Sequence, residues 1–232
     1  MKNALSIIIP AYNEEATIYE ILEKICAVEL PVEKEIIIIN DGSRDRTDEK
    51  CEAFMKAHPS VRILYHFQSN QGKGAALRQG ISRATGQWTI IQDADLEYDP
   101  QDYLPLLEWM MSHNGLVVYG SRFLNKANKH SYFSFYMGGR LVSFVTNLLY
   151  GQNLTDEPTC YKFFDTRFLQ SIPLQCKGFE FCPEVTAKVC KRGIKIHEIP
   201  IQYYPRSIQE GKKINWKDGL QAIWTLIKYR FK

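Results

Sequence analysis

The chain has 232 residues, of which 45% are hydrophobic and 24% charged, the balance of a folded protein rather than a disordered one. A formal net charge of +3 is too small to point to nucleic acid, and no segment approaches the ~18 apolar residues that cross a bilayer. Six cysteines form no C-x-x-C pair, which argues against a zinc or dithiol site, and the apolar run near the start is too short for a signal peptide. A reduced, cytoplasmic protein is the expectation.

Leu5–Pro10 is a β-branched apolar run that predicts a strand buried on both faces. Residues 13–28 follow with Ile18, Ile21, Leu22 and Ile25 on one helical face. Glu35–Asn40 predicts a second buried strand, residues 44–58 a helix, and residues 62–65 a third strand. A helix over 74–84 stops at Gly86, and residues 88–92 predict a fourth strand with Asp93 directly after it. Beyond Gly115 come a strand at 116–119, a long helix over 135–150, a helix over 183–192, a strand at 194–203 and a last helix over 216–230. Alternating strands and helices predict an α/β fold with a mostly parallel central sheet flanked by helices. With no repeat, linker or low-complexity tract, one domain over 1–232 is expected, with halves 1–114 and 115–232.

In such sheets ligands bind outside the carboxyl ends of the strands. The polar segments 11–15, 40–43, 70–73 and 93–97 all fall there. Asp93, Asp95 and Glu97 place three carboxylates at i, i+2 and i+4. Carboxylates this close repel one another unless a cation intervenes, and hard oxygen ligands select Mg2+ or Mn2+. No G-x-G-x-x-G follows the first strand, which removes the usual support for a dinucleotide oxidoreductase.

Residues 6–14 (SIIIPAYNE), 40–43 (NDGS), 70–74 (NQGKG), 93–95 (DAD) and 120–122 (GSR) stand in an order that resembles family-2 inverting glycosyltransferases of the A fold. The chain is most similar within that family to the polyprenyl-phosphate sugar synthases. The resemblance covers nearly the whole chain. It implies that 1–114 binds the nucleotide sugar and 115–232 the acceptor. Pro10, Tyr12 and Glu14 would form the first nucleotide loop, Asp41 would bond the base, and Lys73 would reach the base or a phosphate. Asp93 would face the ribose side of the nucleotide, with Asp95 and Glu97 as metal ligands and Asp93 beside them in the metal set. Where the family often has two acids, this chain has Asn40 before Asp41. Arg122 and Arg140 resemble phosphate contacts, and Arg206 and Lys212 a loop that closes on the donor diphosphate. Asp156 lies in a segment resembling the acceptor site, with Glu180 and Glu184 as further acids there. Asp95, Arg122, Arg140 and Asp156 are thus the catalytic candidates.

The reaction implied is transfer of a sugar from a donor of GDP-mannose or UDP-glucose type to a polyprenyl phosphate, with Mg2+ or Mn2+ as cofactor. A soluble glycan or protein acceptor is the alternative. A lipid phosphate is already ionised near neutral pH, so a general base becomes optional. The last helix carries Trp216, Leu220, Ile223, Trp224, Ile227 and Phe231 near one face, among lysines and arginines. Such a helix predicts a peripheral place on the cytoplasmic face of a membrane.

Overall fold

A computed structural model describes residues 2–129, 132–206 and 216–232. It contains seven strands: β1 (Lys2–Ala11), β2 (Glu33–Asn40), β3 (Ile63–Phe67), β4 (Gly86–Ile91), β5 (Val117–Ser121), β6 (Lys162–Asp165) and β7 (His197–Pro200). They form one sheet in the order β3-β2-β1-β4-β6-β5-β7. All pairs are parallel except those of β6, which runs antiparallel to both β4 and β5. Helices α1 (Ile18–Ala27), α2 (Thr47–Ala57), α3 (Lys73–Arg83), α4 (Tyr103–His113), α5 (Phe133–Tyr150), α6 (Thr166–Gln170), α7 (Phe181–Lys191) and α8 (Trp216–Phe231) connect and cover it. The apolar run of β1 sits centrally, with Leu5, Ile7, Ile8 and Ile9 fully buried between β2 and β4. On α1, Ile18, Ile21, Leu22 and Ile25 are all buried, as the 3.6-residue period requires.

Register decides where the polar segments go. Ala11 pairs with Asn40 and Asn40 with Phe67, so β1, β2 and β3 end side by side. Ile91 of β4 pairs with Ile8, and the Gln92 amide donates to the Ile8 carbonyl. The four loops that leave these strands therefore open onto one edge of the sheet.

Three differences from the sequence expectations have physical causes. β6 is absent from them because Lys162-Phe-Phe-Asp165 is only four residues long and its lysine is buried, which breaks the apolar pattern. The α4 helix was not expected either. Its face Tyr103, Leu106, Leu107 and Met110 has helical spacing, but Pro105 reads as a breaker, although in a first turn it removes no hydrogen bond. The strand expected over 194–203 pairs only over His197–Pro200, and Tyr203 makes a single bridge to Tyr98.

A buried carboxylate ties β1 and β2 to the residues just before β3 and β4. Glu35 of β2 accepts from Ser6 Oγ at 2.7 Å, from the Thr85 amide at 2.9 Å and hydroxyl at 2.8 Å, and pairs with Arg62 at 2.5 Å. Burial raises its pKa, but the bonds from Ser6 and Thr85 and the Arg62 charge more than offset this and hold it below the usual carboxylate value. Because the folded-state pKa lies below the unfolded one, this stabilisation is present above the unfolded pKa and lost as pH falls through the folded value. Glu35→Gln is expected to cost about 2 kcal/mol at pH 7. Urea melts should show the gap from the parent chain narrowing below about pH 4.

Candidate active site

The sheet edge holds a cavity of about 410 Å³ lined by residues from all four loops, among them Pro10, Tyr12, Asp41, Lys73, Asp95 and Arg206. Glu14, Asp93 and Glu97 line it too, as do Asn70 and Phe179. The first loop is fixed by its neighbour. Asn13 adopts φ 51°, a left-handed conformation that asparagine tolerates. Its amide donates to Ser43 Oγ at 3.0 Å, and its Oδ1 accepts from the Arg44 amide at 2.8 Å. The Glu14 amide donates to Thr47 Oγ1 at 2.8 Å. Tyr12 and Glu14 are thus presented by a loop stitched to the β2–α2 connection.

Asp41 organises the next wall. Its carboxylate accepts from Gln68 Nε2 at 2.7 Å and from the amides of Gln71 and Gly72 at 2.9 and 2.8 Å. It is 3% exposed yet still lines the cavity. Asn40 is wholly buried: it donates to Tyr65 and accepts from the Ser43 amide, so it serves the turn. The glycines around Lys73 are demanded by close approach. A Cβ at Gly72, where φ is 92°, would stand 2.4 Å from the Lys177 carbonyl oxygen, and one at Gly74 2.8 Å from that of Gly178. This contact seats the start of α3 and aims Lys73 at Asp93, 2.5 Å away. Lys73 also lies 5.6 Å from the centre of the Phe179 ring.

Arg206 is the second cation. It pairs with Asp95 at 2.5 Å and reaches Glu14 at 3.6 Å and Glu97 at 4.0 Å, while its amide donates to Glu97 Oε1 at 2.8 Å. Its Nε–H is buried without an acceptor among the described residues. Among the described residues the lining carries five acids against Lys73 and Arg206, a formal excess of three negative charges. The electrostatics respond accordingly. Burial, then Asp93 and Glu97, push Asp95 up to about 7. Burial also raises Asp93, but the adjacent Lys73 ammonium outweighs it and holds Asp93 below the ordinary value.

The three carboxylates expected to hold a metal, Asp93, Asp95 and Glu97, all line the cavity. Among the described residues no three acidic, histidine or cysteine side chains converge on one point. Lys73 has taken Asp93 and Arg206 has taken Asp95, which separates the carboxylates' partners. The described site thus has surplus negative charge and two internal cations paired with its carboxylates. Hard carboxylate oxygens and that surplus fit Mg2+ or Mn2+ held by one or two carboxylates together with donor phosphates. The unpaired Nε–H of Arg206 fits a phosphate oxygen.

The remaining candidates fall outside the cavity lining. Arg122 and Asp156 meet as a bidentate pair, Nε to Oδ2 and Nη2 to Oδ1 both at 2.7 Å, and the Arg122 amide also donates to Asp156. Glu198 fixes this pair from behind by accepting from the amides of Asp156 and Thr155 at 2.9 and 2.7 Å. The Arg122 guanidinium lies 5.1 Å from the Tyr203 ring centre and 5.9 Å from that of Tyr98. Arg140 is exposed on α5, over the Phe123 ring, and reaches the Thr155 carbonyl at 3.4 Å. Glu180 accepts from the amides of Lys177 and Gly178. Glu184 accepts from the amides of Gln175 and Cys176 and from Tyr229. Lys212 and the rest of the expected phosphate loop, residues 207–213, lie outside the described residues. Sequence reasoning missed Asn13, Gln68 and Glu198, whose roles are to hold other site residues. Only the isolated acid of Glu198, inside an apolar strand, offered a signal.

The chain and its seven-stranded sheet resemble known proteins. Residues 6–172 fit the model of glycosyl transferase family 2. The chain belongs to glycosyl transferase family 2. It is 30% identical to a dolichyl-phosphate beta-glucosyltransferase of Trichomonas vaginalis, an alignment that covers 97% of this chain and 72% of that protein. An undecaprenyl-phosphate 4-deoxy-4-formamido-L-arabinose transferase of Pseudomonas aeruginosa is 36% identical over 119 residues, half of this chain and 34% of that one. The chain thus spans about a third of that relative's length. Among solved structures, the glucosyl-3-phosphoglycerate synthase of Mycobacterium tuberculosis, in complex with Mn2+, UDP-glucose and phosphoglyceric acid, superposes with a TM-score of 0.69. That likeness covers 99% of this chain and 80% of that one at 20% identity, and it shows a shared A-type glycosyltransferase fold.

The Arg122–Asp156 pair gives a stability prediction. Asp156 is fully buried. Asp156→Ala would strand the guanidinium among aromatic rings and is expected to cost about 3 kcal/mol or more. Urea denaturation of the purified variant checks this, with Arg122→Met/Asp156→Leu expected to recover part of the loss.

Proposed function

We propose that this glycosyltransferase moves a sugar, with inversion, from a nucleoside-diphosphate sugar of GDP-mannose or UDP-glucose type to a polyprenyl phosphate. The observation that carries the proposal is the charge balance of the cavity. A donor diphosphate entering this cavity would meet the formal negative surplus of its described lining, which favours its arriving with a cation. Asp95, with Glu97 or Asp93 beside it, would hold Mg2+ or Mn2+. The bound metal would supply Lewis-acid stabilisation of the departing diphosphate. Pro10 and Tyr12 would pack on the nucleoside, and Asp41 would present its remaining lone pairs to the base. Lys73 and Arg206 would release their carboxylates and turn to phosphate oxygens, with Lys212 joining from the same loop. Their charge would offset the negative charge that grows as the anomeric bond breaks.

The acceptor class follows from the acids and from the relatives. Asp156, Glu180 and Glu184 all spend their oxygens on internal donors, so none stands ready as a general base. A phosphate acceptor needs none, because its oxygen is already anionic when it attacks the anomeric carbon. Both named relatives take polyprenyl phosphates, a dolichyl and an undecaprenyl one. Arg122 and Arg140 would draw the acceptor phosphate toward the donor. We propose one catalytic domain over 1–232, in which 1–114 serves the donor and 115–232 the acceptor.

Incubation with radiolabelled UDP-glucose or GDP-mannose, Mn2+ and detergent-solubilised dolichyl or undecaprenyl phosphate is expected to give a lipid-linked sugar. Asp95→Ala is expected to lower the rate about a hundredfold or more. A chain that hydrolyses the donor but glycosylates only soluble acceptors would overturn the lipid-phosphate part. In thermal melts, UDP or GDP is expected to raise the Tm with Mn2+ and to do little without it.

A further inference from the structure

The helices α5 and α8 pack on one another through Val142, Leu226 and Tyr229, and the Tyr150 hydroxyl donates to the Leu226 carbonyl at 2.7 Å. Their inner faces are therefore satisfied. Their outer faces are not. On α5, Phe133, Met137, Leu141, Phe144 and Leu148 are exposed, and on α8 so are Trp216, Leu220, Trp224, Ile227 and Phe231. In both helices the steps are four, four, three and four residues, so each set forms one stripe along one side. Phe133 is 78% exposed, Leu148 73%, Trp224 65% and Phe231 82%, a large apolar surface for a protein to leave in water.

The charges beside the stripes identify the occupant. Arg140 is the only charged residue of α5. The α8 helix and the residue after it carry Lys217, Lys228, Arg230 and Lys232 against the single acid Asp218, and all five cations are exposed. We propose that the paired outer faces of α5 and α8 form a docking platform that lies on an anionic lipid surface. The apolar stripes enter the region between headgroups and acyl chains, Trp216 and Trp224 seat at the boundary, and the cations meet lipid phosphates. A second copy of the chain fits less well. Two-fold pairing through this face would set its surplus positive charge against itself. No helix among the described residues is long and apolar enough to cross a membrane, so the platform lies on the surface.

The platform bears on the site through Arg140, which stands on α5 and reaches the Thr155 carbonyl beside the Arg122–Asp156 pair. Docking would bring this region to the depth of a lipid's phosphate. The purpose of the platform rests on the polyprenyl-phosphate reading; its physics does not.

The test uses the full chain and vesicles of phosphatidylcholine with or without phosphatidylglycerol. The chain is expected to co-sediment with the anionic vesicles, less so as salt rises, with a blue-shifted tryptophan emission. Leu148→Asp/Trp224→Asp is expected to lower the partition coefficient about tenfold or more. The same variant should keep the parent's Tm, because both side chains are exposed, and its transfer to detergent-solubilised polyprenyl phosphate. Absence of binding to anionic vesicles overturns the platform, and does so even if transfer in detergent persists. Binding that survives the double substitution overturns it as well, as does a dimer in sedimentation equilibrium that this substitution dissolves. Vesicle binding without lipid-linked product would leave the platform standing and remove the lipid-phosphate acceptor.

Discussion

Crowded carboxylates at one edge of a parallel sheet set the terms for the rest of this structure. Four strands end side by side, and their loops bring Glu14, Asp41, Asp93, Asp95 and Glu97 around a single cavity. Left alone, these groups would repel one another and take up protons. The fold answers with two cations of its own. Lys73 is aimed at Asp93 by glycines that let α3 approach the 176–178 segment, and Arg206 comes from the far half of the chain to bridge Asp95, Glu14 and Glu97. Burial first, then the neighbouring Asp93 and Glu97, keep the Asp95 carboxyl above its ordinary value despite Arg206.

A second layer of polar groups holds the first in place. Asp41 faces the cavity while gathering three donors behind it, and Asn13 is pinned in a left-handed turn by Ser43 and Arg44. Glu198 anchors the backbone of Asp156, which in turn grips Arg122. Each of these arrangements spends buried polar groups on orientation, and removing one partner leaves the other unpaired. The same logic applies to Asp156, Glu180 and Glu184, whose oxygens accept from the amides of neighbouring loops.

The two halves of the chain contribute different things. The first supplies a regular run of parallel strands and most of the cavity lining, to which the second adds Gly178, Phe179 and Arg206. The second inserts the antiparallel β6 into the sheet and then places α5, α7 and α8 to one side, with a wide apolar face turned outward.

Local chemistry made much of this legible from residues alone. The apolar runs of β1, β2 and β4 can only be buried strands. The periodicity of α1, α5 and α8 names their faces, and a topological rule places the loops that follow parallel strands at one edge. Pro10, Tyr12, Glu14, Asp41, Lys73, Asp93, Asp95, Glu97 and Arg206 were all found in that way or through the family resemblance, and all line the cavity. β6 and α4 escaped because a buried lysine and an early proline disguised them. Partner choice was beyond the sequence altogether. Whether Asp95 faces a metal, another acid or Arg206, and whether Asp156 is a free acid or the grip on Arg122, depends on side chains between 34 and 111 residues apart. Spacing along the chain fixes which groups are near a strand end, but a charge takes its partner, and hence its pKa and its role, from whatever the fold brings within a few ångströms.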